Sequence, residues 1–258
     1  MPGIESIKFD TSPWSLEKES SDVIKWNNEK NQFLSLHYFA KKPDIPCALD
    51  DIDALRAAYR EGLTASGGAL ISADREKAGG MDCIKLVFKT PRERHGMVYV
   101  GSLTFPFAEF SYVIKVQCAE FGVSGMRDAI VMDKLMGEGA VSLDPETKAI
   151  SGWSGDPYDA GFKANLLCHK SDLESYDADF PDHPLTEMRK HLASIQASVK
   201  ADDSVMRSLP FSAGAQPHSN GHNGVNGGAK DASNAEKPRE EVTQHTSAPK
   251  GKPWWKVW

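Results

Sequence analysis

The chain has 258 residues, 40% hydrophobic and 26% charged, with 30 Lys and Arg against 36 Asp and Glu for a formal net charge of −6. That is an ordinary soluble, globular composition with room for one large domain or two small ones. The acidic balance argues against nucleic acid as the main partner, since phosphate binding needs a basic surface.

In chain order, residues 5–10 (ESIKFD) predict a short first strand, and TSPW a turn ending on an aromatic anchor. DVIKWN (22–27) and QFLSLHYFA (32–40) are β-rich runs joined by the polar loop NEKN, a hairpin pattern. The period then changes: Ile52, Leu55, Tyr59 and Leu63 recur at helical spacing, with Asp50 or Asp51 as the N-cap and SGG at 66–68 as the stop. Four strand candidates follow, at 68–76, 80–90, 96–105 and 109–118. In the second, Ile84, Leu86 and Phe88 alternate with Lys85 and Lys89. Short loops between these runs predict an antiparallel meander with an apolar face that needs cover, the 51–65 helix being one cover.

Ser124 is placed as the cap of a second helix, with Met126, Ile130 and Leu135 as its apolar positions and Gly137 or Gly139 as its end. Residues 140–182 read as an irregular, polar insertion in which NLLC (165–168) is a candidate edge strand. Leu185, Met188, Leu192, Ile195 and Val199 then mark a closing amphipathic helix over 183–200, capped by Asp182 or His183 with Pro184 in its first turn. The predicted fold class is thus α+β, an antiparallel meander covered by helices as an α/β/α sandwich, in one globular domain over 1–205.

From residue 212 the composition collapses. Between 212 and 253 Leu, Ile, Met and the aromatics are absent until Pro253, and only Val225 and Val242 are branched aliphatics. Such a segment cannot bury enough apolar surface to offset its ordering entropy, so 212–250 is expected to be a disordered linker. It ends on GKPWWKVW at 251–258, three of the six tryptophans in five positions. Residues 212–258 hold six Lys and Arg against four Asp and Glu, net +2, which leaves −8 on residues 1–211. Trp254, Trp255, Lys256 and Trp258 are the leading candidate contact residues. Indoles with lysines suit an anionic membrane interface, and tryptophans also anchor peptides in protein grooves. A basic peptide on an acidic chain makes docking on its own domain a third reading.

Chemistry is harder to find. No P-loop, dinucleotide fingerprint, nucleophile elbow or zinc-protease motif occurs, so no cofactor, metal or catalytic residue is assigned. Cys47, Cys83, Cys118 and Cys168 are widely spaced and read as buried, reduced thiols of a cytoplasmic protein. No secretory signal and no apolar run long enough to cross a membrane is seen. His37, mid-strand, reads as structural, and His183 and His191 lie too far apart along one helix to share a metal. The carboxylates Asp172, Glu174, Asp177, Asp179 and Asp182 could form a cation site or an acid/base pair, but lack calcium-loop spacing and read better as a solvated loop leading into a helix. In SGWSGDPYDAGF, Trp153 and Tyr158 either grip a ligand or anchor the turn to the domain. An enzyme, if this is one, would draw on Trp153, Asp156, Tyr158, His169 and Asp182.

The order of elements over residues 4–137 resembles the PsbP-like superfamily, the α/β/α sandwich of PsbP proteins of photosystem II, Ran-binding Mog proteins and bacterial DcrB-type domains. The opening IKFDTSPW, the hairpin at NNEKN, the helix DIDALRAAYREGL, three successive strands and GMRDAIVMDKL carry the likeness, with HPLTEMRKHLASI as a possible closing helix. The resemblance implies a binding protein, chaperone or assembly factor; DcrB-type domains act as adaptors that shield apolar segments of secretion effectors. It transfers no functional residue. The reading is therefore a non-catalytic binding or adaptor protein contacting a partner protein or membrane through its terminal peptide, with an enzyme site at 153–183 as the alternative.

Overall fold

A computed structural model describes residues 2–93 and 95–213. The expected linker from residue 214 onward and the peptide bearing Trp254, Trp255, Lys256 and Trp258 lie outside the described residues.

A 3-10 turn, Ile4–Ser6, leads into β1 (Ile7–Lys8). β2 (Ser15–Glu19), β3 (Val23–Asn27) and β4 (Phe33–Phe39) form a meander, after which α1 (Ile52–Ala65) carries the chain to the far edge of the sheet. β5 (Ala69–Ala78), β6 (Met81–Pro91), β7 (Met97–Pro106) and β8 (Ser111–Ala119) then return strand by strand until β8 pairs with β4. The result is a seven-stranded antiparallel sheet of order β2-β3-β4-β8-β7-β6-β5. α2 (Met126–Gly137) follows, then two small ladders: β9 (Ser142–Leu143) with β10 (Ile150–Ser151), and β11 (Ser154–Gly155) with β12 (Cys168–His169). α3 (Pro184–Ser198), β13 (Lys200–Ala201), which pairs with β1, and α4 (Asp203–Met206) close the described chain.

Period-2 alternation divides the sheet into two faces. Leu34, Leu36, Leu103, Phe105, Tyr112, Ile114 and Val116 point to one side, where α3 lays Leu185, Met188, Leu192, Ile195 and Val199 against them. Each such fully buried aliphatic contributes about 1.5–3 kcal/mol. α3 comes down on β7 at Gly101, where a Cβ would lie 2.2 Å from Met188 Sδ and 2.9 Å from Leu192 Cδ2. The opposite face carries Leu70, Ala73, Ile84, Leu86, Phe88 and Val100, and α1, with Leu55, Tyr59 and Leu63 buried, packs against β5 from that side. The expected α+β sandwich is therefore present, and both sheet faces are buried.

Several local expectations need correction. Residues 5–10 do not make one strand: Ile4–Ser6 coil tightly and only Ile7 and Lys8 pair, with Lys200 and Ala201. β2, SLEKE, carries no strand pattern because it is an edge strand with all five residues exposed and a bulge between Leu16 and Lys18, a charged border that resists further pairing. Asp51 does cap α1, accepting from Ala54 N at 3.2 Å. α2 starts differently: its N-cap is Gly125, in the left-handed region at φ 75°, not Ser124. Its buried face is Arg127 and Val131, while Met126 and Ile130 stand exposed. At 165–168 only Cys168 enters a strand. Cys83, Cys118 and Cys168 are buried, Cys47 is half-buried, and all four thiols are free.

Candidate functional site

In the acidic stretch after β12, Glu174, Asp179 and Asp182 are exposed as its composition suggests, but Asp172 and Asp177 are not. Asp172 is buried against the Lys89 ammonium of β6 at 2.6 Å and also accepts from His169 N at 2.7 Å. Asp177 accepts from Arg127 at 2.8 Å and from Arg189 at 2.8 Å. Arg127, only 2% exposed, also donates from Nε to Ser171 O at 2.7 Å, from Nη1 to Thr186 Oγ1 at 2.9 Å and from Nη2 to Leu173 O at 3.1 Å. One guanidinium thus holds α2, the 171–177 segment and α3 together, which a planar five-donor fork does and an ammonium cannot.

The residues singled out for an enzyme divide among three places. Trp153 and His169 come together, ring centroids 5.3 Å apart, and His169 Nδ1 meets Asp128 Oδ2 at 3.0 Å. Trp153 also belongs to a small core with Val131 and Val141. Asp156 and Tyr158 sit beside α1: Asp156 accepts from Arg60 at 3.3 Å, and Tyr158 lies under the Arg56 guanidinium at 3.9 Å with its hydroxyl accepting from Ala73 N at 3.0 Å. Asp182 is elsewhere again, on the rim of the groove described below.

Asp128 also accepts from the Ser171 hydroxyl. Burial pushes its carboxyl up, but the bonds from His169 and Ser171, with the charges of His169 and Lys89, outweigh it and take the pKa from 3.8 down to about 2. A carboxylate depressed on folding stabilises above its unfolded pKa, and that contribution is lost as pH falls through the folded one. The Asp128 contribution is therefore expected to fade between pH 3.8 and about 2. Urea unfolding across that window checks this: Asp128→Asn should lose less stability on acidification than the parent, and parallel acid limbs would refute it.

On the sheet face away from α3, Lys25, Ser35, Lys115 and Ser102 stand directly opposite one another on β3, β4, β8 and β7. His37 lies one step along, with Nε2 3.0 Å from Ser35 Oγ and Nδ1 without a partner. Burial first, then Lys115 and Lys25, push His37 down to about 4, so its ring is neutral at neutral pH. Burial and Lys25 likewise push Lys115 down to about 8.

The remaining feature is a groove of about 410 Å³ between the 121–126 loop and the 180–184 turn. Its floor is Glu120, whose carboxylate accepts from Met97 N at 2.9 Å and Gly125 N at 3.1 Å and faces His183 Nε2 at 3.4 Å. Burial raises the Glu120 pKa, yet His183 and the two amides more than offset this and hold it below the ordinary carboxylate value. His183 in turn accepts from Leu185 N at 3.2 Å through Nδ1, capping α3, as the sequence predicted for this position. Phe121, Val123 and Met126 line the groove while 56%, 76% and 55% exposed, and Ile130 continues the apolar stripe along α2 at 51%. The Arg92 guanidinium stacks on Phe121 at 4.5 Å. Sequence reasoning missed this site, although FGVSGM, three large apolar side chains in a glycine-rich turn, was its visible signal.

Fold and site together define an α+β protein, a seven-stranded antiparallel sheet between helices with an apolar surface groove at one end of β8. No protein-family model matches the chain, and no curated protein matches it. Among solved structures, it is similar to a protein from Bacteroides thetaiotaomicron at 11% identity and TM-score 0.31, covering 46% of this chain and 40% of that one. It is also similar to cyanobacterial PsbP from Synechocystis, at 13% identity and TM-score 0.30 over 52% of this chain and 81% of that one. LpqN, involved in cell envelope biogenesis of Mycobacterium tuberculosis, follows at 13% identity and TM-score 0.25, over 51% and 78%. A PsbP is thus among the structures this chain partly matches; at these scores no function is taken from any of them. Among the described residues no helix is long and apolar enough to cross a membrane, and no group of three His, Cys, Asp or Glu could hold a metal ion.

Proposed function

We propose that this is a non-catalytic binding protein of the adaptor or chaperone kind, whose folded body receives an apolar segment of a partner in the groove at Phe121, Val123 and Met126. The observation that carries the reading is the contrast between the two halves of the site. Three of its ionisable side chains, Glu120, Arg127 and His183, are committed to holding elements together, whereas its large apolar side chains face outward beside a groove. Exposed apolar stripes of this kind mark interaction surfaces. In the same reading Trp254, Trp255, Lys256 and Trp258 form a second contact element, for a partner protein or an anionic membrane surface.

The experiment places a photo-crosslinking residue at Val123 and, as control, at Glu17 on the exposed β2 edge, in the full chain expressed in its own cells. A discrete adduct from position 123 that Met126→Asp abolishes is expected. Equal adducts from both positions, or an adduct that Met126→Asp leaves unchanged, would overturn the groove as a binding site.

A second reading, an enzyme, draws on one pair, Asp128 with His169 beside Trp153. A fixed carboxylate orienting an imidazole is the arrangement of a general base.

A further inference from the structure

Beside the groove lies a second depression, of about 450 Å³, lined by Trp14, Asn28, Glu29 and His191. The two share Lys30, Gln32 and Glu187, so they meet along the Lys30–Glu187 ion pair. That pair is asymmetric. Glu187 is 13% exposed in its side chain and Lys30 is 61% exposed. Gln32, 4% exposed, donates to Glu187 Oε2, and its own Oε1 is fixed by Asn28 Nδ2 at 2.7 Å and His191 Nε2 at 3.0 Å. One carboxylate oxygen is therefore built into the body, while the other, Oε1, is held only by the exposed ammonium of Lys30.

Acidic side chains outnumber basic ones around this junction. Glu29, Glu120, Asp182 and Glu187 line the two depressions. Against them stand Lys30 and Arg127, and Arg127 is buried and committed to Asp177. Glu187 first, and Asp182 with it, hold the Lys30 ammonium above its ordinary range, so Lys30 reports a negative potential at the point where the depressions join. Apolar surface lies mainly at one end, at Phe121, Val123 and Met126; at the other, exposed Pro13 stands beside the edge of the Trp14 ring, which is 8% exposed and packed on His191.

We propose that the two depressions are one groove for an extended peptide segment of a partner protein that alternates basic and apolar residues, and that a lysine or arginine of that segment displaces Lys30 from Glu187. The proposal rests on the binding reading above and adds the chemistry of the occupant. The preset carboxylate, kept in place by Gln32 after Lys30 leaves, means that little ordering is required when the partner cation arrives. The apolar end supplies the contact area, and the acidic rim selects the charge.

The test uses the full chain and two fluorescein-labelled heptapeptides, alternating lysine with leucine and glutamate with leucine, followed by fluorescence anisotropy. The lysine peptide is expected to bind about tenfold tighter than the glutamate peptide, and Glu187→Gln to weaken it about three- to fivefold. Lys30→Ala should tighten it about two- to threefold by removing the competing ammonium, while Lys18→Ala, the same charge change on β2, should not. That opposite sign is what a merely structural ion pair would not give. If both peptides bind equally and Val123→Asp abolishes both, the groove binds but the charge inference falls. If Lys30→Ala weakens the lysine peptide, or matches Lys18→Ala, the exchange at Glu187 is wrong. If neither peptide binds, the occupant is not of this class, and the crosslink at Val123 decides the binding reading separately.

Discussion

Arg127→Ala is expected to cost about 3–5 kcal/mol of folding stability and to remove binding in the groove with it. The side chain is 2% exposed and donates to two backbone carbonyls, one hydroxyl and one carboxylate. Truncation strips Ser171 O of the Arg127 donor, leaves Leu173 O with Tyr176 N, and leaves Asp177 with Arg189 and the Thr186 hydroxyl. Unmade bonds at buried groups carry their desolvation penalty, so the loss is comparable with the net worth of four ordinary hydrogen bonds at about 1 kcal/mol each. Arg127→Lys should recover only part, because one ammonium keeps the charge but cannot reach all four partners on the 171–177 segment and α3. Urea unfolding of the three proteins at neutral pH gives the order parent, Lys, Ala. A loss below about 1 kcal/mol for Arg127→Ala would mean that the clamp does not hold α2 to α3.

How much of this was legible beforehand follows from what each segment buries. β3, β4 and β6–β8 could be read from alternation because their two faces meet different environments, and α1 and α3 from helical spacing because each lays one apolar stripe on the sheet. Where the determinant is polar, pattern reading fails. α2 turns Arg127 inward and leaves Met126 and Ile130 outside, the reverse of a hydrophobic count, since a guanidinium with four partners is cheaper to bury there than an aliphatic that would strand Asp177. β2 escaped because an edge strand exposed throughout has no buried face to announce it. The same blindness applied to the sites. Trp153 and Tyr158 stood out as aromatics in a turn; the first packs on Val131 and Val141, and the second lies under Arg56. Asp172 and Asp177 looked solvated because their partners, Lys89 and Arg127, lie 83 and 50 residues away. Of the groove residues, Met126 was read as an apolar helix position and Phe121 and Val123 were not singled out; only three-dimensional exposure distinguishes them.

The buried pair Lys89–Asp172 gives the second large expected effect, and a sharper one because its sign depends on how many partners are removed. The two side chains are 1% and 2% exposed and 2.6 Å apart. Lys89 stands on β6 opposite Tyr99, on the face that alternates with Ile84, Leu86 and Phe88, and its ammonium reaches Asp172 inside the protein. Lys89→Met leaves a buried carboxylate with the His169 amide and the Cys168 thiol but no counter-charge, and Asp172→Leu leaves a buried ammonium without its carboxylate. Each single change is expected to cost about 3–5 kcal/mol. The double change Lys89→Met with Asp172→Leu removes both desolvated charges and fills the space with hydrocarbon, so it should cost less than either single, about 1–2 kcal/mol for the acceptor lost to His169 N. Urea unfolding of all four proteins closes the cycle. Costs that simply add would show that the two charges are solvated in the folded protein and do not depend on each other. The predicted non-additivity, by contrast, would mean that the pair fixes the 168–177 segment on the sheet less by adding stability than by penalising every arrangement in which Lys89 and Asp172 are apart. The groove inherits that constraint, since Arg127 and Arg189 grip the same segment from α2 and α3.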